Sequence, residues 1–319
     1  MGSLSDRVFA FSFSFNSIIW LTLFFAPYTS AIHAAFDDRF IGARAYAMGG
    51  ASSAVMKEVD GLLVNPASIS SISAQQFSAT MAMLHVGLSD ETSITQNLIA
   101  YANSHSKRGA VGLLWKRLNV SQLYAENQVV LGASKSYRIG SGGSRQFSIG
   151  ASGKLLNWET VPTLDANGAV LEDLPGRSQL SVDIGFVFRS STNIPIALSV
   201  QNLNSPRVAS SSSPANESLP VQTTLGIGLL GSKSVWGMDL VFSRNEIDIA
   251  VGLEYRLHGD MLFVRSGFRL ENLAWGTNLT AGAGFSPRER MRIDYGFVLP
   301  NGGIQSTFGS HRFSIVYDF

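Results

Sequence analysis

The residues best suited to nucleophilic or acid–base catalysis are five histidines and a scatter of serines, and their spacing assembles no site. His33, His85, His105, His258 and His311 fall on different runs or turns, far apart along the chain. A hydrolase elbow needs Gly-x-Ser-x-Gly, so that a strained turn lifts the serine hydroxyl. Gly150-Ala151-Ser152-Gly153 lacks that spacing. Ser314 could meet a histidine only across strands, a pairing that spacing alone does not supply. Gly140-Ser141-Gly142-Gly143 precedes no helix and reads as a turn, not a phosphate cradle. The chain has no cysteine, hence no disulfide and no thiolate metal site, and no other metal-ligand cluster is spaced along it. The expectation is a protein that is not an enzyme and uses no cofactor or metal.

The elements that carry these residues have an unusual composition. Of 319 residues, 45% are hydrophobic and only 15% charged, below the roughly 25% charged residues of an average soluble domain. Beyond the N-terminus no stretch approaches the roughly 20 apolar residues that a spanning helix needs. High apolarity without long apolar runs is what membrane strands produce, because lipid-facing and lumen-facing residues alternate. A net charge of +1 argues against nucleic acid as a partner.

At the N-terminus, Arg7 precedes an apolar core from Ile18 to Ala26, Pro27 breaks it, and small residues follow at Thr29, Ser30, Ala31, Ala34 and Ala35. This order is that of a secretory signal peptide, with cleavage after Ala31 or Ala34.

From about Gln75 onward the chain is a series of alternating runs of about ten residues with Gly, Ser, Pro and Asn between them. In the run 246–257, Ile247, Ile249, Val251, Leu253 and Tyr255 share one face, and Glu246, Asp248, Gly252, Glu254 and Arg256 share the other. About fourteen such runs can be counted, with twelve as the alternative because the first two are weakly patterned. Connection length checks the count. In a barrel with both termini in the periplasm, long loops follow odd strands and short turns follow even ones. The longest connections are 159–177, 204–218 and 300–308, after runs five, seven and thirteen. The expected fold is therefore all-β: a transmembrane antiparallel barrel of about fourteen strands. Its lumen-facing charges would be Lys116, Lys154, Asp183, Asp239, Asp248, Glu254, Arg265, Arg269, Glu271, Arg292, Asp294 and Arg312. Trp158, Trp236, Trp275, Tyr101, Tyr124, Tyr137 and Tyr317 sit near run ends and suit membrane-interface girdles.

In the last run Phe313, Ile315, Tyr317 and Phe319 alternate with Ser314, Val316 and Asp318. The pattern resembles the C-terminal signal that the bacterial barrel-assembly machinery reads. An apolar edge strand of this kind can pair with that machinery and then with the first strand, which removes the exposed edge.

Residues 36–73 do not alternate. Gly42-Ala43-Arg44, Met48-Gly49-Gly50-Ala51, Asp60-Gly61 and Asn65-Pro66-Ala67 point to tight, irregular backbone or short helix. This stretch resembles the N-terminal signature of the FadL-like outer-membrane barrels, and within them most of all the PorV/PorQ-type proteins of type IX secretion. Val200-Gln201-Asn202-Leu203 and Leu219-Pro220 echo a later motif of that group. The resemblance implies a fourteen-stranded barrel in the bacterial outer membrane whose N-terminal segment folds into the lumen as a hatch. The chain then divides into a signal peptide (1–34), a hatch (35–73) and a barrel (74–319). Gly42, Arg44, Gly49, Gly50, Asp60, Asn65, Pro66 and Ala67 would form the hatch motif, with Arg44 and Asp60 as the charges that reach the wall. The alternative is that its Gly, Asn and Pro residues only shape a turn.

The resemblance leaves two functions open. One is a non-enzymatic partner in protein secretion or surface attachment, which docks secretion components or cargo. The other is a passive channel for small hydrophobic ligands such as fatty acids. The loop 204–218 is Ser/Pro/Asn-rich rather than apolar, which favours the secretion branch. Membrane lipid and the assembly machinery are partners in both.

Overall fold

The computed structural model describes Phe36 and residues 42–105, 107–121, 123–140, 145–164, 170–172, 176–190, 193–208, 218–244, 246–271, 276–301 and 307–319. The signal-peptide expectation for residues 1–34 and the girdle position Trp275 lie outside the described residues.

Period-two sequences become strands because alternate side chains leave opposite faces of a pleated backbone. Fourteen of these strands close a barrel. They are β1 (Gln75–Leu84), β2 (Ile94–His105), β3 (Gly109–Val120), β4 (Tyr124–Ile139), β5 (Arg145–Thr160), β6 (Arg177–Arg189) and β7 (Pro195–Gln201). The circuit continues through β8 (Gln222–Leu230), β9 (Ser234–Ser243), β10 (Glu246–Leu257), β11 (Leu262–Glu271), β12 (Gly276–Arg288), β13 (Met291–Asn301) and β14 (Ser310–Asp318). Every neighbouring pair is antiparallel, and β1 closes on β14 in a register from Gln76↔Asp318 to Met83↔His311. The count of fourteen holds over the alternative of twelve: the two weakly patterned first runs are both full strands, paired over ten residues. A two-stranded hairpin, Thr163–Leu164 with Val170–Glu172, decorates the connection after β5.

Burial is inverted relative to a soluble protein. Leu131 and Leu180 are 64% and 67% exposed, whereas Arg265, Arg312 and Lys116 are 2% exposed or less. Exposed Ile99, Leu113, Leu155, Ile196, Ile227 and Val264 extend the apolar face around the wall. A belt that continuous requires lipid against it. None of the described helices is long and apolar enough to cross a membrane; the elements with a lipid-suited outward face are the strands. The charges expected in the lumen lie on inward positions, apart from Glu271, which is exposed at a strand end.

Residues 42–73 lie inside this wall. Helix α1 (Ala43–Ala47) rests against β11–β14, a 3-10 turn over Val59–Leu63 against β1–β4, and a second over Pro66–Ser71 against β2–β6. The segment could not approach so closely if the wall carried side chains throughout. Inward glycines oppose it on strand after strand. A Cβ at Gly112 or Gly132 would strike Leu62, and one at Gly150 or Gly185 would strike the Asn65-Pro66 unit. Gly237 faces Ala51, Gly252 faces Met48, and Gly296 faces Ala43 in the same way. Gly237, Gly252 and Gly267 are direct cross-strand partners, so they form a smooth track one residue wide. The Met48–Ala51 turn runs along that track, with Gly49 and Gly50 at φ of +66° and +85°, where a side chain is strained.

Candidate functional site

The interface between the luminal segment and the wall is the candidate site, and its two sides differ in chemistry. On the side of β2–β4, Val59, Leu62, Leu63, Ile69 and Ile72 pack against Leu98, Ala100, Ala102, Ala110, Leu114 and Val130 as one buried apolar cluster. On the side of β10–β13, six charged groups form a closed ring. Arg44 donates from Nε and Nη2 to Glu254 at 2.7 and 3.1 Å, and from Nη1 to Glu58 at 2.9 Å. Arg292 bonds Glu58 at 2.6 Å and Asp294 at 2.7 Å. Arg265 completes the circuit, with Nε 2.7 Å from Glu254. Its Nη1 lies 2.8 Å from Asp294, near enough for an ion pair though not aligned as a hydrogen bond. Each arginine meets two carboxylates and each carboxylate two arginines. Arg44 and Glu58 belong to the luminal segment; Glu254, Arg265, Arg292 and Asp294 come from the wall.

Removing charges from water costs several kcal/mol per ion, and only good geometry with several partners offsets it. Burial alone would raise the Glu58 carboxyl, yet Arg44 and Arg292 hold it at about 2. Asp60, on the same turn, makes no ion pair among the described residues. Burial and then the Glu58 carboxylate push it up to about 7.

The residues expected as a hatch motif occupy different positions at this interface. Arg44 reaches the wall at Glu254. Asp60 does not: its carboxyl abuts Gly42 of its own segment, and Oδ1 has no hydrogen-bond partner among the described residues. Asn65 accepts from the Ala67 N–H at 3.0 Å, capping the turn that Pro66 opens, and its Nδ2 donates to the Phe186 carbonyl of β6 at 3.1 Å. Gly49 and Gly50 make the turn on the glycine track.

Several contacts have no individual signal in the sequence, where Asp239 reads only as a lumen-facing charge. Asp239 accepts from the Ser52 and Ser53 N–H groups and from the Ser53 hydroxyl, all within 3.0 Å. Gln76, Ser199, Gln201, Thr280 and Ser314 each bond a backbone group of the luminal segment. They satisfy polar groups that an irregular segment leaves open. Ser314, weighed as a nucleophile, is thereby occupied by the Ala43 N–H and by Thr80. Their common sequence signal is a polar residue at an inward strand position.

The later motif has a local role too. Asn202, at φ +55°, marks where β7 leaves the wall. Lys154 bonds Asn202 Oδ1 at 2.7 Å and pairs with Asp183 at 2.8 Å, while Asp183 accepts the Asn202 N–H. Asn202 Nδ2 donates to the Pro220 carbonyl, so both halves of the motif meet. At β14, Phe313, Ile315, Tyr317 and Phe319 all point outward, and Phe319 lies edge-on to Tyr317 and Tyr101.

No protein-family model and no curated protein matches the sequence. Solved structures do match in fold. The Ralstonia pickettii toluene transporter TbuX has a TM-score of 0.61 at 14% identity, covering 89% of this chain and 99% of that one. The CymD monoaromatic hydrocarbon channel scores 0.64 at 12% identity, covering 89% and 99%. A Pseudomonas aeruginosa FadL homologue scores 0.55 at 11% identity, covering 88% and 98%. The fold of this chain is that of the fourteen-stranded FadL-type outer-membrane barrels.

Proposed function

We propose that this protein is a passive outer-membrane channel for small hydrophobic molecules, with residues 35–73 as its hatch. The observation that carries the reading is the two-sided luminal interface: an apolar seam along β2–β4 opposite a ring of six ionic residues. A hydrophobic molecule can slide along the first without desolvating a charge, while the second tethers the segment. The structural neighbours described as toluene and monoaromatic hydrocarbon transporters support the same reading. They turn the preference away from the secretion role that the PorV/PorQ-like motif suggested, since that branch gains nothing from them. Opening needs only local repacking at the apolar seam, with the ring as the fixed side. Residues 1–34 serve export, and the outward aromatic series at β14 serves assembly.

Flux of toluene and of fatty acids into liposomes tests the proposal. The full barrel should raise uptake over protein-free vesicles, and a variant lacking residues 36–73 should raise it further. Absence of flux from both proteins removes the channel reading.

A further inference from the structure

Charge is distributed unevenly between the two rims. At the short-turn end Lys107, Arg108, Lys135, Arg145, Lys233 and Arg290 are all exposed. None of the six forms an ion pair among the described residues. Exposed carboxylates at that rim are Asp260 and Glu289 among the described residues. The opposite rim carries exposed Asp90, Glu91, Glu159 and Glu271, and there Arg117 and Arg269 are paired with two of these.

Position gives the basic rim its meaning. Lys135 and Arg145 lie on the outward faces of β4 and β5, in step with exposed Leu131 and Ile149. The other four sit in the turns β2–β3, β8–β9 and β12–β13. Just inside the turn cations and Arg145, Tyr101, Tyr137, Trp236 and Tyr317 are between 38% and 48% exposed, the ring of amphipathic aromatics expected at headgroup level, with Lys135 two residues further in than Tyr137. Lys135 Nζ lies 5.5 Å above the Tyr137 ring, so this cation sits on the aromatic boundary. The cations therefore stand where the apolar belt ends.

We infer that this rim is a binding surface for the headgroups of anionic phospholipids in the adjacent leaflet. Lysine and arginine are the natural partners of a phosphate diester, and arginine can hold two of its oxygens at once. Juxtamembrane basic residues gain from anionic headgroups in the same way beside spanning helices. The six cations are spread over three turns and the β4–β5 hairpin around the circumference, which suits many small anionic headgroups rather than one protein footprint.

Native mass spectrometry of the full-length protein, extracted from vesicles of equal phosphatidylglycerol and phosphatidylcholine with matched chains, tests the inference. The unaltered protein should retain phosphatidylglycerol several-fold over phosphatidylcholine. The K107Q/R108Q/K135Q/R145Q/K233Q/R290Q variant should lose that preference, and R117Q/R244Q, at the opposite rim, should keep it. Raised salt during extraction should erase the preference of the unaltered protein, a readout that needs no variant to fold. Equal retention of both lipids, a preference insensitive to salt, or a preference unchanged in the folded sixfold variant overturns the proposal. Hydrocarbon flux is a separate readout, so failure here is distinguishable from failure of the channel.

Discussion

Arg44 and Glu254, 210 residues apart in the chain, share two hydrogen bonds of 2.7 and 3.1 Å that join the luminal segment to β10. Arg44→Ala strands Glu254 and Glu58 with fewer partners in a buried site. The expected loss is about 3–5 kcal/mol, the usual cost of breaking a buried pair from one side. Urea unfolding of the refolded barrel, followed by protease protection of residues 42–73, measures it. The double variant R44M/E254L, with both partners gone, should recover part of that loss. A double variant as unstable as R44A would show that the pair does not act as a unit.

The glycine track makes the opposite demand, for absence of side chains. Gly252→Val would drive a side chain into the Met48 backbone, while its outward neighbour Val251 faces lipid. Overpacking of this kind costs about 1–3 kcal/mol, and the luminal segment, held by side-chain bonds, gives way before a closed wall of backbone hydrogen bonds does. The barrel should keep its heat-modifiable mobility on gels while residues 42–73 become protease-sensitive. Val251→Leu, changing the outward face, should leave both unchanged.

How much of this was legible in the sequence depends on which physical rule set each feature. Strand facing was legible, because Ile247, Ile249 and Val251 alternate with Asp248 and Gly252 at the period of the pleat. The closure of β14 on β1 and the long connections after β5 and β7 followed from the same count. The ring was legible only as a set of inward charges; its order depends on cross-strand neighbours such as Glu254↔Arg265, which no local pattern encodes. The glycine track has no local signature, because Gly237, Gly252 and Gly267 look like small lumen-facing residues until a partner backbone lies against them. Asp60 was expected at the wall together with Arg44, yet a short carboxylate on a 3-10 turn lacks the reach of an arginine.

Asp60 and Glu58 give the luminal segment opposite pH dependences. The Asp60 carboxyl sits at about 7 when the segment is docked, above the ordinary aspartate value of 3.8. Its contribution to docking is complete below that ordinary value and is lost as pH rises towards about 7. Glu58 is held at about 2, below 4.5, so its contribution is complete above that value and fails as pH falls through about 2. Hydrogen exchange of residues 42–73 should therefore slow as pH is lowered from 8 to 5, after correction for intrinsic rates. Asp60→Asn should flatten that trend, and a trend unaltered in this variant would place the titration elsewhere.

Asn65 ties the second 3-10 turn both to itself and to the wall, through Ala67 and Phe186. Asn65→Ala removes the cap and leaves the Phe186 carbonyl without its side-chain donor, at a cost of about 1–2 kcal/mol. Asn65→Asp restores the cap but not the donor, and it buries a charge, so it should be worse than alanine rather than better. Because this turn packs on β4–β6 beside the apolar seam and away from the ring, Asn65→Ala should also raise hydrocarbon flux without releasing Arg44. Flux and protease protection at residues 42–48, measured on the same preparation, check this directly. If flux rises and that protection is lost, the segment moves as one body and the ring is no anchor.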